Sequence, residues 1–257
     1  MRIFVVTHPR MSFWLAMVPG LLAVIAGLSR FGVGAAIPLY LVFMLWTMGS
    51  FVWINKQAVN LRRQPMEELD RNCDPEPLLE LCRGVLRRQP EALWYRVYEA
   101  YCLTLLGREE EARESALLAQ GSPGLWKNPG LLLVWSACIP MDDPRQDAVM
   151  RALSGLKMNA AARALTIRTL NERKAMRELD QAPEELEEAL LAQLERAVSQ
   201  REKLGAHLAL GAYYCNRKNQ SAEQHLNYVL EHANKMHGAR VQAERLLCLL
   251  PAPGCLE

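Results

Sequence analysis

Between Met11 and Ile54 the chain runs for more than forty residues with a single charge, Arg30. That run constrains the fold more than any other feature. Met11–Ser29 and Phe31–Ile54 are each uncharged, and each is long enough to cross hydrocarbon, which takes about 20 helical residues. Between Val33 and Ile54 stand ten Leu, Ile, Phe and Val residues, whose insertion free energies sum to roughly −3 to −6 kcal/mol. The first segment carries eight, with Pro19-Gly20 inside it, and is the weaker span. A buried core hairpin in a soluble protein is disfavoured, because the run is apolar on all sides of each helix. The expectation is a transmembrane helical hairpin over 11–54, with spans at 11–29 and 33–54 and its turn at Arg30-Phe31-Gly32.

A cleaved signal peptide is the alternative for the first span, since Arg2 and Arg10 resemble a charged leader. Against it stand the length of the span, the lack of a small-x-small site before Arg30 and the second apolar segment that follows at once. Arg2 and Arg10 precede the hairpin and Lys56, Arg62 and Arg63 follow it, while the turn holds only Arg30. The positive-inside rule then predicts a multi-pass protein of the cell membrane, with the 1–10 tail and the C-terminal domain both cytoplasmic. Trp14, Trp53 and Tyr40 fit interfacial positions. Trp46, near mid-span, is expected against a helix or lipid. Ala16, Gly20, Ala23 and Gly27 recur at helical spacing, a seam of small residues that faces either the second span or a second copy. The short turn favours the second span, although Gly and Ala are also simply common in membrane helices.

The whole chain has 30 Lys and Arg against 28 Asp and Glu, and residues 1–54 hold three arginines and no acid. The remainder is therefore 27 against 28, a net of −1, which gives no basic excess for nucleic acid. The Lys56/Arg62/Arg63 group is explained by topology without lipid specificity. Seven cysteines are scattered without a C-x-x-C, which suits buried thiols in a reducing compartment. Cys255 stands one position too late for a prenylation box.

After a polar, basic stretch over 55–73, read as a juxtamembrane linker that prolongs the second span, the apolar spacing is helical to residue 250. Asp74-Pro75-Glu76 reads as a helix start. Asp143-Pro144-Arg145-Gln146 reads as a capping-box variant with Gln146 reaching back, and Pro183-Glu184-Glu185 opens a third helix after a poor cap, Ala182. Leu186, Leu190, Leu194 and Val198 recur every four residues. The spacing predicts helices near 75–88, 91–106, 109–120, 129–139, 144–156, 159–178, 184–200, 202–217, 220–236 and 239–249. Loops are expected at Gly121–Gly124 and 139–144, and no sheet.

Some of these helices resemble tetratricopeptide repeats, helix pairs with small and large residues at set positions. His207-x-x-Leu210-Gly211-x-x-Tyr214 looks like the first-helix signature, with Ala222, Leu226 and Val229 like the second helix one residue early. Val85-Leu86-x-x-x-Pro90, then Trp94-x-x-Val97-Tyr98-x-x-Tyr101, Gly107 and Ala112, looks like a second such junction, with Tyr98 where a small residue is usual. The likeness covers about a third of the chain; residues 121–200 share only helicity with it. It implies an all-α protein: the two-helix hairpin followed by a tetratricopeptide-like, solenoid-like domain over 74–250 and a 251–257 tail, similar to bacterial membrane-anchored repeat proteins.

The sequence contains no P-loop, dinucleotide fingerprint, zinc-protease or nucleophile-elbow motif. Of five histidines (His8, His207, His225, His232, His237), His225 and His232 share a helix face with Glu231 near. A metal reading of that face lacks the remaining ligands, and a polar outer face plus a helix C-terminus, where imidazole is favourable, explains it better. Asp142-Asp143 reads as a cap and a solvated acid. Trp126, Trp135 and Leu131–Val134 form an apolar patch, either inter-helix core or partner groove. Arg62-Arg63 and Arg87-Arg88 read as solvated faces. No catalytic, cofactor-binding or metal residue can be named, and no cofactor or small-molecule substrate is implied. The expected function is a non-enzymatic, membrane-anchored adaptor that docks a protein or peptide partner. The alternatives are a structural subunit bound through its hairpin, or a metalloprotein using His225 and His232.

Overall fold

The computed structural model describes residues 9–31, 36–140, 142–160, the scattered residues 163, 164, 166, 167, 169, 176 and 179, and 185–250. The described residues form eleven α-helices and no strand. Gly32, the start at Pro183-Glu184, Cys255 and most of the helix expected over 159–178 lie outside the described residues, as does His8.

Helix α1 spans Pro9–Phe31 and α2 spans Ala36–Asn72. Arg30 and Phe31 end α1 and are not a turn. The two helices are long and apolar enough to cross a membrane by length and composition. Their apolar side chains stand exposed, among them Leu22, Ile25, Leu41 and Leu45. They pack on each other along the small-residue seam. A Cβ on Gly20 would lie 2.6 Å from Trp46 Cδ1, and one on Gly27 2.8 Å from Leu39 Cδ2. Trp46 Nε1 also donates to the Ala16 carbonyl at 2.8 Å. Trp46, ambiguous in the sequence, is therefore an interhelical contact. Small residues at 16, 20 and 27 bring the backbone of α1 near enough for the indole to reach it.

At 37 residues α2 is about 55 Å long, well beyond the roughly 30 Å of a hydrocarbon core. Its second half, the stretch read as a linker, enters the helical block, where Leu69 is fully buried. There α2 meets α3 (Glu76–Leu86), α4 (Leu93–Leu105) and α5 (Glu109–Gln120) around Leu69, Leu78, Val85, Cys102 and Leu103. Asp74 starts α3 as expected, its Oδ1 accepting from Glu76 N at 3.0 Å. Arg62 fastens the other end of this layer. Its guanidinium lies 4.4 Å from the Trp94 ring centre and its Nε donates to Tyr95 OH at 3.1 Å. Gly107 closes α4 with φ +72°, a conformation that suits glycine, and Arg108 N donates to the Leu103 carbonyl at 2.9 Å. The resulting tight turn sets α4 and α5 antiparallel.

A second layer joins α4 and α5 to α6 (Pro129–Ser136) and α7 (Arg145–Gly155) around Leu125, Leu132, Trp135, Val149 and Leu153. The tryptophan patch is thus mainly inter-helix core, with Trp135 fully buried. Gln146 differs from its expected role. Its buried amide does not reach back as a capping box; Nε2 points at the carbonyls of Ser136, Ile139 and Pro140, 2.9–3.3 Å away. The loop before α7 folds under the helix and leaves buried carbonyls that need a donor, and Gln146 supplies it. Asp143 keeps the cap, accepting from Arg145 N at 2.8 Å.

The third layer is α8 (Glu185–Arg196), α9 (Gln200–Asn216), α10 (Ser221–His232) and α11 (His237–Leu247). A capping box between Ser199 and Glu202 starts α9 two residues earlier than the apolar spacing predicts. This layer is tied to the first by contacts distant in sequence. Arg201 Nε bonds Asp70 at 2.7 Å and its Nη1 donates to Tyr101 OH at 3.0 Å. Lys235 pairs with Asp74 and Glu76 at 2.8 and 2.6 Å. At Gly238 the α11 backbone lies so near α4 that a Cβ would sit 2.6 Å from the Thr104 carbonyl oxygen.

Candidate functional site

Polar and aromatic chemistry gathers on one face of the α9–α10 pair. His207, Gly211 and Tyr214 recur at i, i+4 and i+7 on α9, and His225, Tyr228 and His232 at i, i+3 and i+7 on α10. The turn at Lys218, with φ +53°, reverses the chain. His207 and His225, nine residues either side of Asn216, therefore meet. Gly211 sets the spacing, since a Cβ there would lie 2.5 Å from Leu226 Cδ2. Beneath the face, Leu210, Leu226 and Val229 are fully buried.

The histidine Nδ1 atoms are 2.9 Å apart, a hydrogen bond in which the tautomer decides which nitrogen donates and which accepts. The His207 ring stacks on Tyr228 at 3.9 Å, and Tyr228 stacks on His232 at 4.2 Å. Gln200 Nε2 donates to Tyr228 OH at 3.1 Å. Tyr214 donates to Glu187 Oε1 of α8 at 2.7 Å, and burial together with that carboxylate pushes its phenol up to about 12. Burial, then the neighbouring His225, His232 and Lys203, pulls His207 down to about 4. Burial also lowers His225.

His225 and His232 thus keep the common face of α10 that their spacing predicts, and the structure adds His207 from α9, paired with His225 and stacked on Tyr228. His232 is exposed and directs Nδ1 at the Tyr228 carbonyl. His237 heads α11, outside the cluster. Among the described residues no three His, Cys, Asp or Glu side chains are placed to hold a metal ion. Asp143 is engaged by Arg145 at 2.6 Å, a hydrogen bond that holds its carboxyl down near about 2, and Asp142 is exposed. Cys82 and Cys102 are buried thiols, pushed up by burial, and so lack thiolate character. What the α9–α10 face offers is a stacked ring surface with hydrogen-bonding edges. The pairing of His207 with His225 escaped the sequence reading, although their equal distance from the Asn216 turn was a usable signal.

Two measurements follow from this geometry. Gly211→Trp is expected to cost about 1–3 kcal/mol or more, because the indole must displace Leu226 from a filled contact. Thermal unfolding of the full chain in detergent micelles reads it, and an unchanged midpoint would remove the α9–α10 contact from the account. The second concerns pH. His207 takes up a proton near pH 6.5 when unfolded but only near about 4 when folded. The unfolded chain therefore binds more protons in that window, and stability falls as pH drops through it. We expect about 2 kcal/mol lost between pH 7.5 and 4.5, less than the full shift because the ring is partly exposed. His207→Gln should flatten that slope in urea titrations; an identical slope would contradict the buried pair.

Comparison of the chain with known protein families, with curated proteins and with solved structures finds no match.

Proposed function

We propose that this protein is a non-enzymatic scaffold of the cell membrane, anchored by α1 and α2 and presenting a cytoplasmic, tetratricopeptide-like helical surface to a protein or peptide partner. The observation that carries this reading is the continuity of α2. One helix runs from an exposed apolar half into the buried core at Leu69, so the helical block is held stiffly to its anchor.

The repeat-like reading draws on the α4–α5 and α9–α10 pairs, which turn in the same way. Gly107 and Lys218 both take positive φ, and the next residue donates back to the carbonyl five positions earlier. Buried Ala112 and Ala222 then follow on each second helix. Arg201, Lys235 and Gly238 draw the far ends of the block together, so its partner surface is the outside of a closed block, the ring-lined α9–α10 face included. A row of repeats in which each touches only its neighbours would lack such ties.

Reporter fusions after Arg10 and after Arg63 should both read as cytoplasmic, since Lys and Arg flank the hairpin on its outer ends. An external reading after Arg63 would overturn the orientation. Affinity capture with the full chain and with residues 55–257, a cut that keeps the Arg62 clasp, tests the scaffold itself. A partner retained by both, and lost on Gly211→Trp, supports docking on the helical block. A partner retained by the full chain alone supports instead a subunit bound through its hairpin.

A further inference from the structure

The fold returns the α3–α4 connection to the root of the membrane anchor. Only three residues, 73–75, separate α2 from α3, and Leu69 of α2 shares a core with Leu78, Leu79 and Leu86 of α3. Further back along α2, Arg62 covers Trp94 and bonds Tyr95 in the first turn of α4. The connection 87–92 therefore lies at the level of Arg62. Arg96 holds it there, its Nη2 donating to the Pro90 carbonyl at 3.2 Å. Arg87 and Arg88, at the start of this connection, are exposed.

Arg62 stands eight residues beyond Ile54, the last residue of the apolar run, or about 12 Å along the helix. The headgroup layer occupies the first 5–7 Å or so of that distance. An extended arginine covers the rest, and the Debye length of about 8 Å overlaps it. Lys56 and Arg63, seven apart and exposed or nearly so, share one face of α2 in the same zone. Arg63 is engaged only by Glu67, in a solvent-exposed pair at 2.8 Å, which is weak enough to exchange. Five basic residues (Lys56, Arg62, Arg63, Arg87, Arg88) thus oppose two acids of this zone, Glu67 and Glu91. In the linear sequence only three of the five are juxtamembrane. The fold supplies the other two, bringing the cluster to the size at which basic groups beside a membrane helix select anionic lipid.

We propose that this end of the helical block is a binding site for the headgroup phosphates of anionic lipids, with Arg87 and Arg88 as its principal ligands and Lys56 and Arg63 beside them. The proposal rests on α1 and α2 spanning the bilayer. The guanidinium pair gives bidentate, charge-assisted bonds to phosphate oxygens. Arg62 stays under the aromatic rings as the strut that positions the connection.

The full chain is reconstituted in phosphatidylcholine vesicles with trace dansyl-phosphatidylglycerol or dansyl-phosphatidylcholine, and tryptophan-to-dansyl energy transfer reports which lipid gathers around it. Wild-type protein should favour the phosphatidylglycerol probe. R87A/R88A should reduce that preference roughly ten- to thirtyfold, on the scale of about a factor of five per basic residue near a surface. R87K/R88K should keep most of it, which separates lost charge from lost fold. Alkaline washing before flotation checks the anchor. Wild-type protein stripped from the vesicles would overturn the spans and this site with them. Retained protein with no probe preference, or a preference untouched in R87A/R88A, would overturn the site alone.

Discussion

Trp135→Ala is expected to lower the unfolding free energy by about 3–5 kcal/mol, the range for removing a fully buried aromatic side chain. Trp135 is completely enclosed. It lies edge-on to Trp126 with ring centres 5.8 Å apart, within the layer that joins α4 and α5 to α6 and α7. Its Nε1 donates to the Ala116 carbonyl at 2.9 Å, so truncation removes both a large apolar surface and a buried hydrogen bond. Helix α6 has only eight residues and little stability of its own. It is held in the core by this side chain with Leu131 and Leu132, so the variant should also release the α6–α7 segment. Trp135→Phe separates the two contributions: most of the buried area remains, and only about 1 kcal/mol for the hydrogen bond should be lost. Urea unfolding of the full chain in detergent micelles, followed by far-ultraviolet circular dichroism, provides the comparison. A loss below about 1 kcal/mol in Trp135→Ala would mean that α6 does not dock as described.

The Gly20→Leu/Gly27→Leu double variant should open the α1–α2 hairpin, at a cost of about 2–6 kcal/mol if each leucine overpacks independently. A Cβ alone already falls inside contact distance of Trp46 at one position and of Leu39 at the other. A full leucine side chain must therefore force the helices apart and break the Trp46–Ala16 hydrogen bond. In lipid no water-driven attraction compensates, because association there depends on close packing. Ser12 and Ile54, both buried at the opposite end of the hairpin, provide a reporter as Ser12→Cys and Ile54→Cys. Oxidation in membranes should link them within one chain in the parent and severalfold less in the double leucine variant. Loss of links between chains, with intrachain links intact, would place the seam between two copies instead.

Much of the helical framework is legible from spacing alone. Residues 109–120 form a helix with the bounds the periodicity predicts, and the polar stretch after Ile54 continues the second apolar helix to Asn72. The seam of Ala16, Gly20, Ala23 and Gly27 is legible as well, because spacings of four, three and four place those residues on one helix face whatever lies opposite. The Ser199–Glu202 capping box was present in the sequence but obscured by Val198, which extends the apolar repeat of the preceding helix and yet is 92% exposed. Capping and periodicity compete at such a junction, and the backbone donors at the start of α9 decide it.

The sequence by itself determined where helices form, which faces they bury and that two of them suit a membrane, because these follow from local spacing and transfer free energy. Only the tertiary structure decided what those faces meet. Gln146 serves the carbonyls of Ser136, Ile139 and Pro140 because the loop folds beneath α7. Arg201 finds Asp70 across 131 positions, and Lys235 finds Asp74 across 161. With 30 basic and 28 acidic side chains in the chain, charge alone does not select those partners. They are set by where the packed helices end in space.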